Sequence, residues 1–222
     1  MRMEFMLPRE LRDEVGRRPI VYVPWGAMEW HGEHLPLGQD ALKVYGICLR
    51  AAERTGGVVL PPIYVGYETL KLYGDYPFTL EFSRELVKRL ALELLQQLEA
   101  AGFKVIVLLC GHYGRRHLEA IREAVEEYRA GGGRARVLAV PEYEFARDLG
   151  YHGDHAAKWE TSIFWYLYPS MVHLERLREL RGVYGEDPRE HASRELGEKA
   201  VKAIVERLAE EVEKLLKEVE EQ

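Results

Sequence analysis

Residues 81–114, EFSRELVKRLALELLQQLEAAGFKVIVLLCGHYG, decide the fold. From Glu81 to Ala101, leucines recur at positions 86, 90, 94 and 98, a four-residue step that draws one apolar stripe along a helix. Gly102 stops it. Lys104 to Cys110, KVIVLLC, is then almost continuously apolar, as in a strand covered on both faces. GHYG follows where that strand ends.

The same alternation extends both ways. Upstream, Pro19–Trp25 (PIVYVPW) is strand-like, and Gln39–Arg54 has helical periodicity that stops before Gly56-Gly57. Val58–Val65 (VVLPPIYV) contains two prolines, so it reads as a strand that gives way to a loop. Downstream come a helix at Arg115–Ala130, a strand at Ala135–Val140 and a helix from Trp159 to Tyr168, limited by Pro169. A long charged helix, Ser193–Gln222, carries Leu196, Ala200, Ile204, Leu208, Val212 and Leu215 as its apolar stripe. This order predicts the α/β class: one three-layer α/β/α domain over residues 1–222 with a mainly parallel sheet. Ligands in such sheets bind beyond the carboxyl ends of the strands.

Composition narrows the partners. With 31 basic and 37 acidic residues the net charge is −6, and the two signs are mixed along the chain, which argues against a nucleic-acid partner. No apolar run reaches the roughly 20 residues that a membrane span needs. The start, MRMEFMLPRELRDEVGRR, has no apolar leader segment, so the cytoplasm is the expected location. Cys48 and Cys110 fall in a helix and a buried strand and read as reduced packing residues.

The chemistry gathers at the strand ends. After the first strand, GAMEWHGEHLPLGQD contains Glu29, His31, His34 and Asp40. Glu29 and His31 are two apart, so an extended stretch points both the same way. Asp40 either folds back toward them or N-caps the next helix. The third strand delivers His112, and the fourth leads into GYHGDHAAKWETS with His152, Asp154, His155 and Glu160. Any one of these histidines is more often a surface or hydrogen-bonded residue than a ligand. Their convergence at successive strand ends points to a metal site, and mixed carboxylate and imidazole donors suit Zn²⁺, Mn²⁺ or Fe²⁺.

These segments resemble the creatininase family. PWGAMEWHGEHLPLGQD is similar to the family's first signature, P-x-G-x-x-E-x-H-G-x-H-L-P-x-x-x-D. GHYG resembles its second, HAAKWETS its third, and GVYGEDPREHASRELGEKA its C-terminal region; the likeness runs from about Pro19 to Leu208. The resemblance implies two divalent metal ions per subunit. Glu29 and His112 would hold one, His31 the other, and Asp40 both. Glu160 would complete the second set, and His155 would be the catalytic histidine. It also implies a homo-oligomer, hexameric in the family's name-giving enzyme. That enzyme has a ligating Glu after its Gly-His-Tyr, where this chain has Gly114. Many other members have Gly-His-Gly-Gly-Asn, against Tyr113 and Arg115 here, and Ala157 stands where Gly is usual. Creatinine is therefore not the expected substrate, and the pocket around Tyr113 and Arg115 is this chain's own.

The remaining candidates have plainer readings. His34 is expected to orient its loop by hydrogen bonds. Trp30, Tyr113, Tyr151 and Trp159 flank the site as candidate pocket walls for a small-molecule substrate. Arg115 opens a helix, where positive charge is unfavourable; it meets either an anionic substrate group or, more commonly, a neighbouring acid. Tyr67, Tyr73 and Tyr76 lie in a stretch that covers the site or forms a subunit contact. The expected reaction is hydrolysis of the C–N bond of an amide, cyclic amide or formamide. A dinuclear phosphoester hydrolase and a non-catalytic homologue are the alternatives.

Overall fold

The central strands are buried throughout, and their side chains point alternately into two cores, which sets the layers. The computed structural model describes residues 1–221. Helix α1 (Pro8–Arg17) leads into β1 (Ile20–Trp25), then α2 (Gln39–Thr55), β2 (Val58–Val59), α3 (Arg84–Ala100), β3 (Val105–Cys110), α4 (Arg115–Ala130) and β4 (Arg136–Pro141). Helices α5 (Lys158–Leu167), α6 (Pro188–His191) and α7 (Arg194–Glu220) follow, with short 3-10 turns between elements. The strands are all parallel, in the order β2-β1-β3-β4.

Ile20, Tyr22, Val105, Val107 and Leu109 face α2, α5 and α7. Val21, Val23, Trp25, Ile106, Leu108 and Cys110 face α3 and α4. Each such side chain contributes roughly 1.5–3 kcal/mol on burial, and both faces need cover. Register pairs Ile20 with Val105 and Trp25 with Cys110, so β1 and β3 end level. From those ends the chain leaves to opposite faces, into α2 from β1 and into α4 from β3. A crevice opens at such a divergence, and ligand sites of open α/β sheets lie there.

The structure corrects two details, an extra helix and the buried face of α3, and fits a third. Helix α1 was not expected; its one buried residue, Glu14, accepts from the Gly57 amide at 2.8 Å. The Val58–Val65 stretch is, as expected, a strand that gives way to a loop: the strand is Val58–Val59, and beyond Pro61-Pro62 an isolated bridge joins Ile63 to Trp25. On α3 the buried face is Val87, Ala91, Leu92, Leu95 and Leu98, while Leu86 is 44% exposed. No helix among the described residues is long and apolar enough to cross a membrane.

Helices α5 and α7 cross with backbones almost touching: a Cβ built on Gly197 would fall 1.8 Å from the Ser162 carbonyl oxygen. Gly197→Ala is expected to lower stability by about 1–3 kcal/mol in urea denaturation through overpacking. Metal content should be unchanged, because the crossing lies outside the crevice.

Candidate metal centre

The centre depends on how closely the first turn of α2 approaches the strand ends. A Cβ on Gly26 would lie 2.5 Å from the Asp40 Cβ, and one on Gly111 would lie 2.1 Å from the Asp40 carbonyl oxygen. Only glycine at both positions lets α2 start in the crevice. The N-cap of α2 is Gly38, with no side-chain cap, so Asp40 is not a capping residue. Its carboxylate reaches between two imidazoles instead, with Oδ1 at 2.9 Å from His31 Nε2 and Oδ2 at 3.4 Å from His112 Nδ1.

Backbone carbonyls fix both rings. His31 Nδ1 donates to the Glu29 carbonyl at 3.0 Å, which turns the Nε2 lone pair inward. His112 Nε2 donates to the Tyr67 carbonyl at 2.9 Å, which turns Nδ1 inward. Metal-ligating histidines are held in this way. The loop before α3 supplies further support. Its Leu70 amide donates to Glu29 Oε1 at 2.6 Å, leaving Oε2 3.0 Å from His112 Nδ1. The loop itself is held by Glu81, which accepts from the amides of Glu68 and Thr69 at 2.8 Å each.

Glu160 enters from the first turn of α5. Its Oε2 accepts from the Ala156 amide at 2.8 Å and lies 3.5 Å from His31 Nε2. The donor atoms thus fall into overlapping trios: Glu29, Asp40 and His112; His31, Asp40 and Glu160; and Glu29, His31 and His155. Asp40 is shared by the first two. Glu29 Oε2, His31 Nε2 and Asp40 Oδ2 are buried and make no hydrogen bond. Buried polar atoms rarely go unsatisfied, and these three converge on one another, as metal ligands do. The residues therefore fit divalent ions.

The charges agree. Burial disfavours ionised Asp40, but His31 and His112 hold its carboxyl well below the usual range. Burial pulls the His31 imidazole down, and Asp40, Glu160 and Glu29 outweigh it and push it up to about 9. His112 is also raised, against burial, chiefly by Glu29 and Asp40. His155 behaves differently: burial and then the charge of His31 lower it. Its Nε2 donates to the Trp30 carbonyl at 2.8 Å, so Nδ1 carries the lone pair.

A cavity of about 500 Å³ opens onto this centre, lined by Glu29, Asp40, His112, His155 and Glu160 and, further out, by Glu68, Leu70, Tyr73, Tyr113, Arg115, Asp154 and Tyr184. Tyr113 and Arg115 are thus at the cavity. Arg115 pairs with Glu119 one turn on, at 3.1 Å and largely in solvent. Trp30, Tyr151 and Trp159 are not in the wall. Tyr151 is fully buried, with its hydroxyl 2.5 Å from that of Tyr113, and Trp159 stacks on it. Trp30 packs beside Tyr76 and donates from its indole to the Arg181 carbonyl. Its contribution to the centre is its own carbonyl. His34 bonds Thr161 at 3.0 Å, the loop-orienting role expected of it. No side chain fits at Gly114, where a Cβ would come within 2.9 Å of His112 Nε2 and the Tyr67 carbonyl.

Two residues near the centre, Lys43 and Glu142, went unread in the sequence, and a third, Asp154, was named there without a role. Asp154 accepts from the Trp159 and Glu160 amides at 2.7 and 3.1 Å and so fixes the start of α5. Lys43 and Glu142 are fully buried beneath Glu160, 2.8 Å apart. One signal was available: Lys43 follows Asp40 by three residues on an otherwise apolar helix face with Val44 and Ile47.

Comparison with known proteins fits this geometry. The Creatininase family model, described as creatinine amidohydrolase, matches residues 5–212. Over 176 residues the chain is 29% identical to a creatinine amidohydrolase of Pseudomonas putida, covering 71% of this chain and 68% of that one. Over 175 residues it is 29% identical to a mycofactocin precursor peptide peptidase of Mycobacterium ulcerans (strain Agy99), covering 72% of this chain but 62% of the peptidase. A crystal structure of creatinine amidohydrolase (creatininase) superposes with a TM-score of 0.81 at 25% identity, covering 95% of each chain. Structures of the same fold include a Zn-Zn form of a creatininase mutant and a Mn creatininase, with TM-scores of 0.81 and 0.82 at 24% identity. Matched by the family model over nearly all its length, the chain belongs to the creatininase family of metal-dependent amidohydrolases.

Proposed function

We propose that this chain hydrolyses the C–N bond of a small amide, cyclic amide or formamide at a centre of two divalent ions, Zn²⁺ or Mn²⁺. The observation that carries this reading is the sharing of Asp40 by two ligand trios at the floor of the cavity. Glu29, Asp40 and His112 would hold one ion, and His31, Asp40 and Glu160 the other. When bound, such ions acidify a water and polarise a carbonyl.

The protein groups supply the rest. His155 borders the cavity, is neutral near pH 7 and keeps its Nδ1 lone pair free, so it can take a proton there and pass it to the leaving nitrogen. Its backbone is clamped to Tyr184 by reciprocal hydrogen bonds of 3.0 and 2.9 Å, which fixes the ring over the centre. Tyr113 and Arg115 border the space for the substrate; among the described residues the Arg115 guanidinium pairs only with Glu119, and it suits an anionic substituent.

We also read the protein as a homo-oligomer of the cytoplasm. Leu72, Tyr73 and Phe78, beside the cavity mouth, are 50%, 66% and 79% exposed, which supports a subunit contact. Cys48 and Cys110 are buried free thiols, as in a reducing compartment.

Metal analysis and kinetics of single variants test these roles. Asp40→Ala is expected to lose both ions and all measurable turnover, and Glu160→Gln about one ion per subunit. His155→Ala should keep its metal while turnover on an amide substrate falls roughly 10²–10⁴-fold. Full metal content in Glu160→Gln would contradict its ligand role. Proton release gives a second check. Without metal, His31 titrates at about 9 and His112 is raised as well, so both are protonated at pH 7. Ligation needs them neutral, so loading at pH 7 should release protons, and affinity should weaken as pH falls from about 9. Calorimetry in two buffers of different ionisation enthalpy reads this directly. Light scattering at micromolar concentration should give a multimeric mass; a monomeric mass would contradict the oligomer.

A further inference from the structure

Beneath Glu160 lies a cluster of buried charge that belongs to none of the ligand trios. Lys43, one turn into α2 from Asp40, is wholly buried. Its Nζ lies 2.6 Å from Glu160 Oε1, 2.8 Å from Glu142 Oε1 and 2.5 Å from the Tyr113 hydroxyl. Tyr113 in turn donates to Glu142. Burial favours the neutral amine, but Glu142 and Glu160 outweigh it and keep the ammonium charged. Lys43 is therefore a fully buried cation held between Glu142, Glu160 and the Tyr113 hydroxyl.

Its effect falls on how Glu160 meets an ion. A carboxylate can give one donor oxygen or two. Here Oε1 is held by Lys43, while Oε2 alone turns toward His31, steadied by the Ala156 amide. That amide belongs to a residue with φ of +53°, a left-handed backbone that an alanine adopts only when its surroundings demand it. Each oxygen of Glu160 thus has its own fixed partner. Gly114 leaves no room for another carboxylate to replace the donor that Lys43 withholds.

We propose that Lys43 is the positioning residue of the second trio, holding Glu160 to one donor oxygen and so biasing that trio toward an ion content with few ligands, such as Zn²⁺, over one that needs six, such as Mn²⁺. The inference rests on Glu160 being a ligand. Zinc sites are complete with four donors, whereas Mn²⁺ favours octahedral oxygen surroundings. A charged ammonium on the same carboxylate also opposes any cation there and draws electron density from the donor oxygen.

The test uses Lys43→Met in a Glu142→Gln background, so that no buried carboxylate is stranded, with Glu142→Gln alone as control. Replacing a buried ion pair by neutral groups is often tolerated. Freed Oε1 should let Glu160 chelate. The double variant is then expected to bind the second Mn²⁺ about tenfold more tightly, and the control to bind like the wild type. With Co²⁺ in the second trio, visible absorption should weaken in the double variant as coordination number rises. Unchanged Mn²⁺ affinity and an unchanged Co²⁺ spectrum would overturn the proposal. So would a crystal structure of the Mn²⁺-loaded wild type in which Glu160 leaves Lys43 and chelates, a measurement that needs no variant. If the wild type takes up only one ion, the ligand assignment of Glu160 fails instead.

Discussion

The carboxylate of Asp40, set between two imidazoles, is the constraint on which the rest of the site depends. It can sit there only because α2 begins against the ends of β1 and β3, and α2 can begin there only because positions 26 and 111 are glycines. The level ends of β1 and β3 bring His31 and His112 to either side of that turn. Sheet register, two absent side chains and the first turn of one helix thus act together on a single residue. The N-terminus of α2 adds a favourable field for its negative charge.

Buried charge explains the demand for a cation. Glu29, Asp40 and Glu160 are almost wholly removed from water. Without metal their partners are His31 and His112, which must carry protons, and Lys43, which takes one oxygen of Glu160. Glu29 Oε2 and Asp40 Oδ2 face His112 Nδ1 at 3.0 and 3.4 Å but make no aligned hydrogen bond. An interior with this much negative charge and this few donors is costly unless positive charge fills it. Backbone carbonyls occupy the outer nitrogens of His31, His112 and His155, so each ring has one orientation and one inward nitrogen, which becomes a donor to metal once it is deprotonated. The site is formed before an ion arrives, which favours tight and geometrically defined binding.

The sequence made the layers legible because periodicity and glycine punctuation are local. Helix α4 runs over Arg115–Ala130 as read from its flanking glycines, and β3 differs from its expected start by one residue. The phase of α3 was not legible. Leucine occupies several faces of that helix, and packing against α4, not spacing, decides that Leu95 is buried and Leu86 exposed. The short β2 gives way to a loop at Pro61-Pro62, as its prolines indicated. At the centre, Glu29, His31, Asp40, His112, His155 and Glu160 lie within reach of one another, whereas His152 is exposed, His34 bonds Thr161 and Asp154 binds backbone amides. The aromatic residues were harder to place. Tyr151 lies near the site in sequence, yet its hydroxyl finds partners only inside the core, in Tyr113 and Glu142. Glu142 and Lys43 come together from separate elements, and nothing local marks such a pair beyond a lysine on an apolar helix face.

In the proposed function, two ions would share Asp40. Anomalous diffraction from crystals of the Mn²⁺-loaded protein tests it most directly. Two peaks about 3.5–4 Å apart, one on each side of the Asp40 carboxylate, are expected. The first should lie against Glu29 and His112 and the second against His31 and Glu160. A single peak at full loading, or two peaks that leave Asp40 unligated, would contradict it.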